Sequence, residues 1–338
     1  MTFSKSVLTV DAEREIETIT SSIRAIVPRV FRRKGAVVAV SGGIDSATCA
    51  ALCARALGPD HVLVLFLPER DSSSTALSFG QLLTQRLGMP SLTEDIAPIL
   101  DGAGCYRRQW EAIRMVFPDA KEDWKFKIVI PSILSGDRLN LSRLTVEMPD
   151  GKSLTERMAL QAYLQLVAAT NFKQRTRTMM AYYHADRLNY AVCGTPNRLE
   201  YDQGFFVKGG DGLADFKPIA HLYKSQVYQI AGALGVPDEI LRRTPTTDTF
   251  SLAQTQEEFY FALPYHQMDL CLYALNNGIT PDAVASCIGL TEEQVRRVFQ
   301  DIEAKRRGTL PLHRTSVLSV SVPEIDHRGG VPQSSITE

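Results

Sequence analysis

The run Ser41-Gly42-Gly43-Ile44-Asp45-Ser46 has the residue types and spacing most suited to chemistry. A short β-branched apolar run (residues 36–40) leads into it, and a helix-like run (residues 47–57) leaves it. Strand, tight glycine turn and helix in that order point backbone N–H groups and the positive end of a helix dipole at one spot. An anion of phosphate size is the natural occupant. Gly42 and Gly43 let the backbone approach it closely. Ser41 and Ser46 add hydroxyl donors, and Asp45 can hold a divalent cation through oxygen. The run lacks the Lys of a Walker A loop, and it is not Gly-x-Gly-x-x-Gly. A bare Ser-Gly-Gly would equally suit a plain strand-to-helix turn.

Further along, Asn171 and Arg175 are four residues apart and share one helix face, with Arg177 well around it. Such a pair suits a ligand anion or carbonyl, and by itself it suits a solvated helix face better. Gly194-Thr195-Pro196-Asn197 follows a short apolar run and reads as a second ligand loop. The glycine-dense stretch 204–215 carries Lys208, Asp211 and Asp215 as its polar equipment. A loop held against a ligand and a solvated turn explain it equally well. Lys224 opens a helix, and residues 244–249 form a hydroxyl-rich turn.

These residues need a frame. Asp11 is placed to cap a helix to about residue 27, where Pro28 ends or kinks it. Ile16, Ile19, Ile23 and Ile26 fall on one face of that helix. Residues 37–40, 61–67 and 91–95 read as strands, with a helix over 72–87 ended by Gly88. The continuous apolar character of 61–67 suits a parallel strand buried on both faces. The alternation predicts an α/β fold with a doubly wound parallel sheet and ligands at the carboxyl ends of its strands. From about 105 to 159 the alternation breaks. Strands at 126–130 and 144–148, with turns at Gly136-Asp137 and Pro149-Asp150-Gly151, predict a small inserted hairpin lobe. A long helix follows over 160–186, then a fourth strand at 190–193 and a helix ending at Gly235-Val236-Pro237. The C-terminal part is helical. Thr280-Pro281 starts one helix, and Thr291 with Gln294 forms a capping box for another running to about 307. Glu292-Glu293 at its start argues against a DNA-reading helix-turn-helix. Residues 313–338 are polar and turn-rich and are expected to form a loose tail.

The chain has 338 residues, 44% of them hydrophobic, and a formal net charge of −1, enough apolar material for a sizeable core. That balance offers no global attraction to nucleic acid. No apolar run approaches the roughly 18 residues that span a bilayer, and no signal peptide is visible. The six cysteines have no Cys-x-x-Cys spacing, which suits reduced thiols in a cytoplasm. Cys49 and Cys53, four apart, read as packing residues.

With every piece placed, the full Ser-Gly-Gly-Ile-Asp-Ser resembles the pyrophosphate loop of the N-type ATP pyrophosphatases (adenine nucleotide alpha hydrolase-like), and the chain resembles the NAD synthetase family among them. The resemblance rests on Asn171/Arg175/Arg177, Gly194-Thr195 with Glu200, the stretch 208–215, Tyr223-Lys224-Ser225-Gln226-Val227, Pro245-Thr246-Thr247-Asp248 and Lys305-Arg306. It covers about residues 10–100 and 160–312. It implies that residues 41–46 hold the phosphates of ATP, with Thr195, Lys224 and Thr246 also contacting ATP. It implies that Asp45 and Glu200 share Mg²⁺ and that Asp45 and Lys224 serve catalysis. Asn171, Arg175, Lys208, Asp211, Asp215 and Lys305 would bind the acid substrate, nicotinic acid adenine dinucleotide by the main reading. Ammonia would be the nitrogen donor, free or supplied by a separate glutaminase, since no amidase domain is seen in the sequence. A homodimer is implied as the common family state. Residues 263–307 are more similar to the synthetase half of glutamine-dependent members. Ala304 stands before Lys305 where ammonia-dependent members carry His, and Val167 stands where shorter members carry an aromatic residue. The alternatives are a paralogue that amidates a different carboxylic acid and, as a different class, a nucleotide-binding protein without catalysis.

Overall fold

The computed structural model describes residues 3–130, 142–246 and 249–320. Asp11 accepts a hydrogen bond from the Arg14 N–H (3.2 Å) and so caps α1 (Ala12–Ala25). Ile16, Ile19 and Ile23 are buried, as their spacing requires. Pro28 does not stop the chain at once: it sits within a single π-helical turn, Ile26–Val30. β1 (Ala36–Ala39), α2 (Ile44–Leu57), β2 (Val62–Phe66), α3 (Ser74–Leu87) and β3 (Ser91–Thr93) then alternate. Gly88, with φ 65°, closes α3 in a left-handed conformation that glycine adopts without strain. Next come α4 (Ala97–Gly102), α5 (Cys105–Arg114), β4 (Lys125–Val129), β5 (Arg143–Glu147) and β6 (Ser153–Arg157). They are followed by α6 (Leu160–Leu188), β7 (Ala191–Cys193), α7 (Arg198–Gln203), α8 (Lys224–Ala233) and α9 (Asp238–Leu241). The chain continues as α10 (Tyr265–Asn276), α11 (Pro281–Ile288) and α12 (Glu292–His313).

β3, β2, β1 and β7 form one parallel sheet in that order. Ala36 of β1 lies in register with Val62 on one side and Ala191 on the other. Successive strand residues face opposite ways. Val38 and Val64 join a core with α1, α2 and α8, whereas Val37, Leu63 and Leu65 join one that includes Ala181 and Ala185 of α6. The winding reverses between β1 and β7. The crevice beyond their carboxyl ends is therefore the switch point at which open α/β sheets bind ligands. Both glycine loops read from the sequence emerge there.

The described residues of the stretch 105–159 hold more regular structure than the sequence predicts. Its first part is not irregular: Cys105, Tyr106, Gln109, Trp110 and Ile113 are buried along α5. That helix packs on α6, where the Gln109 amide donates to Thr170 Oγ1 (3.3 Å). Helical spacing was present there but masked by Arg107 and Arg108. The expected hairpin is a three-stranded antiparallel meander, β4-β5-β6. Every residue of β6 is exposed, so no apolar alternation could announce it. The turn at Pro149-Asp150-Gly151 forms, with the Gly151 N–H donating to Met148 O (2.9 Å). Gly136-Asp137 lies outside the described residues.

The Thr291/Gln294 capping box is present in both directions (2.9 and 3.2 Å). α12 runs beyond residue 307 to His313, with Pro311 inside its last turn. Residues 314–320 carry no helix or strand, and 321–338 lie outside the described residues. Among the described residues no helix is long and apolar enough to cross a membrane.

Candidate active site

The loop after β1 is shaped by close packing. Gly42 has φ 73°, and a Cβ there would stand 2.2 Å from the Ala76 carbonyl oxygen, so only glycine fits beneath α3. Ser46 Oγ accepts the Ser41 N–H (3.3 Å) and donates to Gly43 O (3.0 Å), tying the loop to the first turn of α2. That helix end opens on a cavity of about 650 Å³. Ser41, Gly43, Ile44, Asp45 and Ser46 line it; Gly42 lies behind them. Thr195, Glu200, Lys224 and Thr246 line the same cavity.

Asp45 and Glu200 are brought together through Asn197. The Asn197 amide donates to Asp45 Oδ1 (3.0 Å), and its backbone N–H donates to Glu200 Oε2 (3.1 Å). Its own Oδ1 caps α7. The Gln256 amide holds Glu200 Oε1 (2.9 Å). The buried Lys224 ammonium forms an ion pair with Asp45 Oδ2. Burial, and then the Asp45 charge, push Glu200 up to about 8, against the pull of Lys224. Burial opposes the charge on Lys224, but Asp45 and Glu200 outweigh it and hold the ammonium above its ordinary value. Among the described residues no group of three or more His, Cys, Asp or Glu could hold a metal. The fit for a divalent cation rests on this carboxylate pair, whose mutual repulsion a cation would relieve.

Four of the six residues read as substrate contacts line the cavity: Asn171, Arg175, Lys208 and Asp211. Arg175 Nε donates to Lys208 O (3.3 Å), and Lys208 Nζ donates to Pro311 O (2.8 Å), closing this end with the last turn of α12. Asp211 Oδ1 accepts the Val207 N–H (2.8 Å), closing the turn of the glycine-dense stretch. Arg177 also reaches the cavity, donating to Leu67 O (3.2 Å) at the end of β2. Asp215 and Lys305 are not among the lining residues. Asp215 accepts the Val192 N–H (2.7 Å) and the Tyr182 hydroxyl (3.2 Å), bracing β7. Lys305 pairs with Asp301 (2.6 Å) and donates to Tyr260 O (2.7 Å) behind the cavity wall.

The sequence reading put Asn197 in the second ligand loop but missed its capping of α7, for which Asn-x-x-Glu is the usable signal. Gln256 and Asp269 escaped it, with no local signal to find them. Asp269 of α10 is fully buried and accepts the N–H groups of Lys224 (3.1 Å) and Ser225 (2.7 Å) and the Ser225 hydroxyl (2.6 Å). It therefore anchors the end of α8 that carries Lys224. On the other flank Lys173 is buried between Glu69 (3.1 Å) and Asp71 (2.5 Å) and donates to Thr249 O (3.0 Å), tying two cavity loops to α6.

Burial raises Asp269 to about 6, above an ordinary Asp near 4. The native state then holds a proton that the unfolded chain has lost, so this group's contribution to stability falls as pH rises from about 4 to about 6. Asp269→Asn removes that dependence. Wild-type stability minus variant stability, from denaturant melts, is expected to fall by on the order of 3 kcal/mol across that window and to be level above it. A difference that is constant from pH 4 to 7 would contradict this.

The chain is similar to known proteins over most of its length. The model of the NAD synthase family matches residues 15–114 and 135–307. The NH(3)-dependent NAD(+) synthetase of Mesorhizobium japonicum is 58% identical over 317 residues, covering 94% of this chain and 99% of the relative. Two solved structures share the fold at low identity. One is an NMN synthetase from Francisella tularensis (TM-score 0.62, 20% identity, 92% of this chain and 99% of that one). The other is an NH3-dependent NAD synthetase from Campylobacter jejuni (TM-score 0.58, 21% identity, 91% and 99%).

Proposed function

This chain belongs to the NAD synthase family, and we propose that it converts nicotinic acid adenine dinucleotide to NAD with ATP and ammonia. It is an AMP-forming carbon–nitrogen ligase. The observation that carries the reading is the Asp45–Lys224 pair beside Glu200, set at the start of α2 and lining one cavity together with Asn171, Arg175 and Lys208.

In the first step a carboxylate oxygen of the acid attacks the α-phosphorus of ATP. The bond from that phosphorus to the bridging oxygen breaks, and pyrophosphate leaves with the electron pair. The loop at 41–46 and Lys224, which line the cavity, would receive its charge through backbone N–H groups and the ammonium. In the second step ammonia attacks the acyl carbon of the mixed anhydride. The bond from the acyl carbon to the bridging oxygen breaks, AMP departs with that oxygen and the electron pair, and the nitrogen loses a proton. No side chain has to form a covalent bond; holding the reactants in place and stabilising charge supply the rate. Asp45 and Glu200 would hold Mg²⁺, whose chemistry when bound is to neutralise phosphate charge. Arg175 and Lys208 supply positive charge for the dinucleotide's phosphates.

The test uses the full chain with ATP, ammonium chloride and the dinucleotide acid. NAD, AMP and pyrophosphate are expected in equal amounts, saturating with the dinucleotide. A response flat in dinucleotide concentration would sink this acid as the substrate. Glutamine as sole nitrogen source is expected to give only background turnover; efficient use with glutamate release would reveal an amidase site.

A further inference from the structure

The lobe of β4, β5 and β6 plays no part in the chemistry above, yet its core does not close on itself. Phe126 and Ile128 of β4 and Leu144 and Val146 of β5 share one buried cluster with Trp110 of α5 and Phe250. Phe250 lines the substrate cavity. Its ring meets Phe126 edge-on (5.7 Å between centroids, 64°) and Phe259 in the same manner (5.4 Å, 70°). Phe259 lines the cavity as well and touches Phe205 (5.8 Å). A line of rings thus runs from the lobe to the cavity wall.

Backbone contacts follow the same path. The Phe126 N–H donates to Ser251 Oγ (2.9 Å), the Leu252 N–H to Phe126 O (3.1 Å) and the Ile130 N–H to Glu258 O (3.2 Å). β4 therefore holds the segment 250–258 at both ends. Within that segment lies Gln256, the hydrogen-bond partner of Glu200. The family model leaves residues 115–134 unmatched, and all of β4 falls in that gap. β4 is a part of this chain that the general family pattern does not describe, and it braces the part of the cavity wall that Phe250 and Phe259 line.

We propose that the lobe is a specificity element of the substrate site: through β4 it holds Phe250 and Phe259 as an aromatic wall for the flat ring of the acid substrate. This rests on the amide-forming reading above and deepens it. Aromatic faces suit a planar pyridine-type ring, which prefers offset or edge-on contacts. The lobe acts through the residues it positions and need not touch the ligand.

The experiment compares Phe126→Leu and Ser251→Ala with wild type in the full chain, with Thr155→Ala on exposed β6 as the control. KM for the dinucleotide, KM for ATP, kcat and the near-ultraviolet circular dichroism are measured for each. Phe126→Leu is expected to raise the dinucleotide KM about tenfold while the ATP KM stays within about twofold. Ser251→Ala should shift the same constant in the same direction by less, and it serves alone where Phe126→Leu does not fold. Thr155→Ala should match wild type. The proposal is overturned where a folded variant raises both KM values together, or where neither variant moves the dinucleotide KM. A wild-type protein that releases no pyrophosphate with the dinucleotide would refute the substrate reading instead. The same variants would then be read with whichever planar carboxylic acid supports release, and an unchanged KM for that acid would overturn the role of the lobe.

Discussion

Asp45→Asn is expected to lower pyrophosphate release by about three orders of magnitude while the protein stays folded. Asp45 lies in the first turn of α2, where a negative charge is favoured by the helix dipole. Its carboxylate does two things that Asn cannot do together. It pairs with Lys224, and it presents charged oxygen to the cavity. Asn keeps an oxygen for the Asn197 amide, so the bond that links this turn to α7 survives. Removing one partner of a buried ion pair commonly costs about 3–5 kcal/mol, because the other is left unpaired. Here Glu200 remains beside Lys224 as a second counter-charge, so the loss should fall below that range. Pyrophosphate release and a thermal melt on the same sample check both halves. Activity within tenfold of wild type would remove Asp45 from the reacting centre.

Lys224→Met is expected to reduce kcat by about 10²–10³ with a smaller rise in the ATP KM. The methionine stem fills the volume of the lysine stem at the start of α8. The anchor at Asp269 is made to backbone N–H groups and the Ser225 hydroxyl, so it persists. What disappears is the positive charge paired with Asp45, which in the proposed mechanism would meet the charge that pyrophosphate gathers as it leaves. An interaction needed most in the transition state shows in kcat more than in ground-state binding. Steady-state kinetics in ATP separate the two. An ATP KM that rises as much as kcat falls would make Lys224 a simple ground-state contact, contrary to the mechanism.

Some parts of this protein are written locally in the chain. Ser-Gly-Gly after a β-branched run is enough to specify a strand, a tight turn and a helix end, because glycine's backbone freedom and the helix dipole act within a few residues. The Asp11 cap, the Thr291/Gln294 box and the isoleucine stripe of α1 are of the same kind; the cap and the box formed as read, and Ile16, Ile19 and Ile23 lie buried on α1 while Ile26 falls in the π-helical turn after it. Alternating apolar strands and helices were likewise enough to imply a parallel sheet with its ligands at the carboxyl ends. The order of motifs along the chain carried the family, and the 58% identical relative agrees.

Other parts exist only once the chain is folded. The Asp45–Lys224 pair joins residues 179 apart in sequence, and Gln256 meets Glu200 across 56. No local pattern encodes such a pairing; the sheet order and the docking of the C-terminal helices decide it. Asp215 and Lys305 show the converse. Their residue types suit a ligand, but one accepts the Val192 N–H within β7 and the other pairs with the carboxylate of Asp301. A buried polar group takes the partner that burial puts beside it, since leaving either unpaired costs more than a surface contact returns. The residue types on the loop at 41–46 determined the chemistry available to this protein. Long-range packing decided which other side chains reach that loop, because desolvated charges and hydrogen-bonding groups are matched in space rather than along the chain.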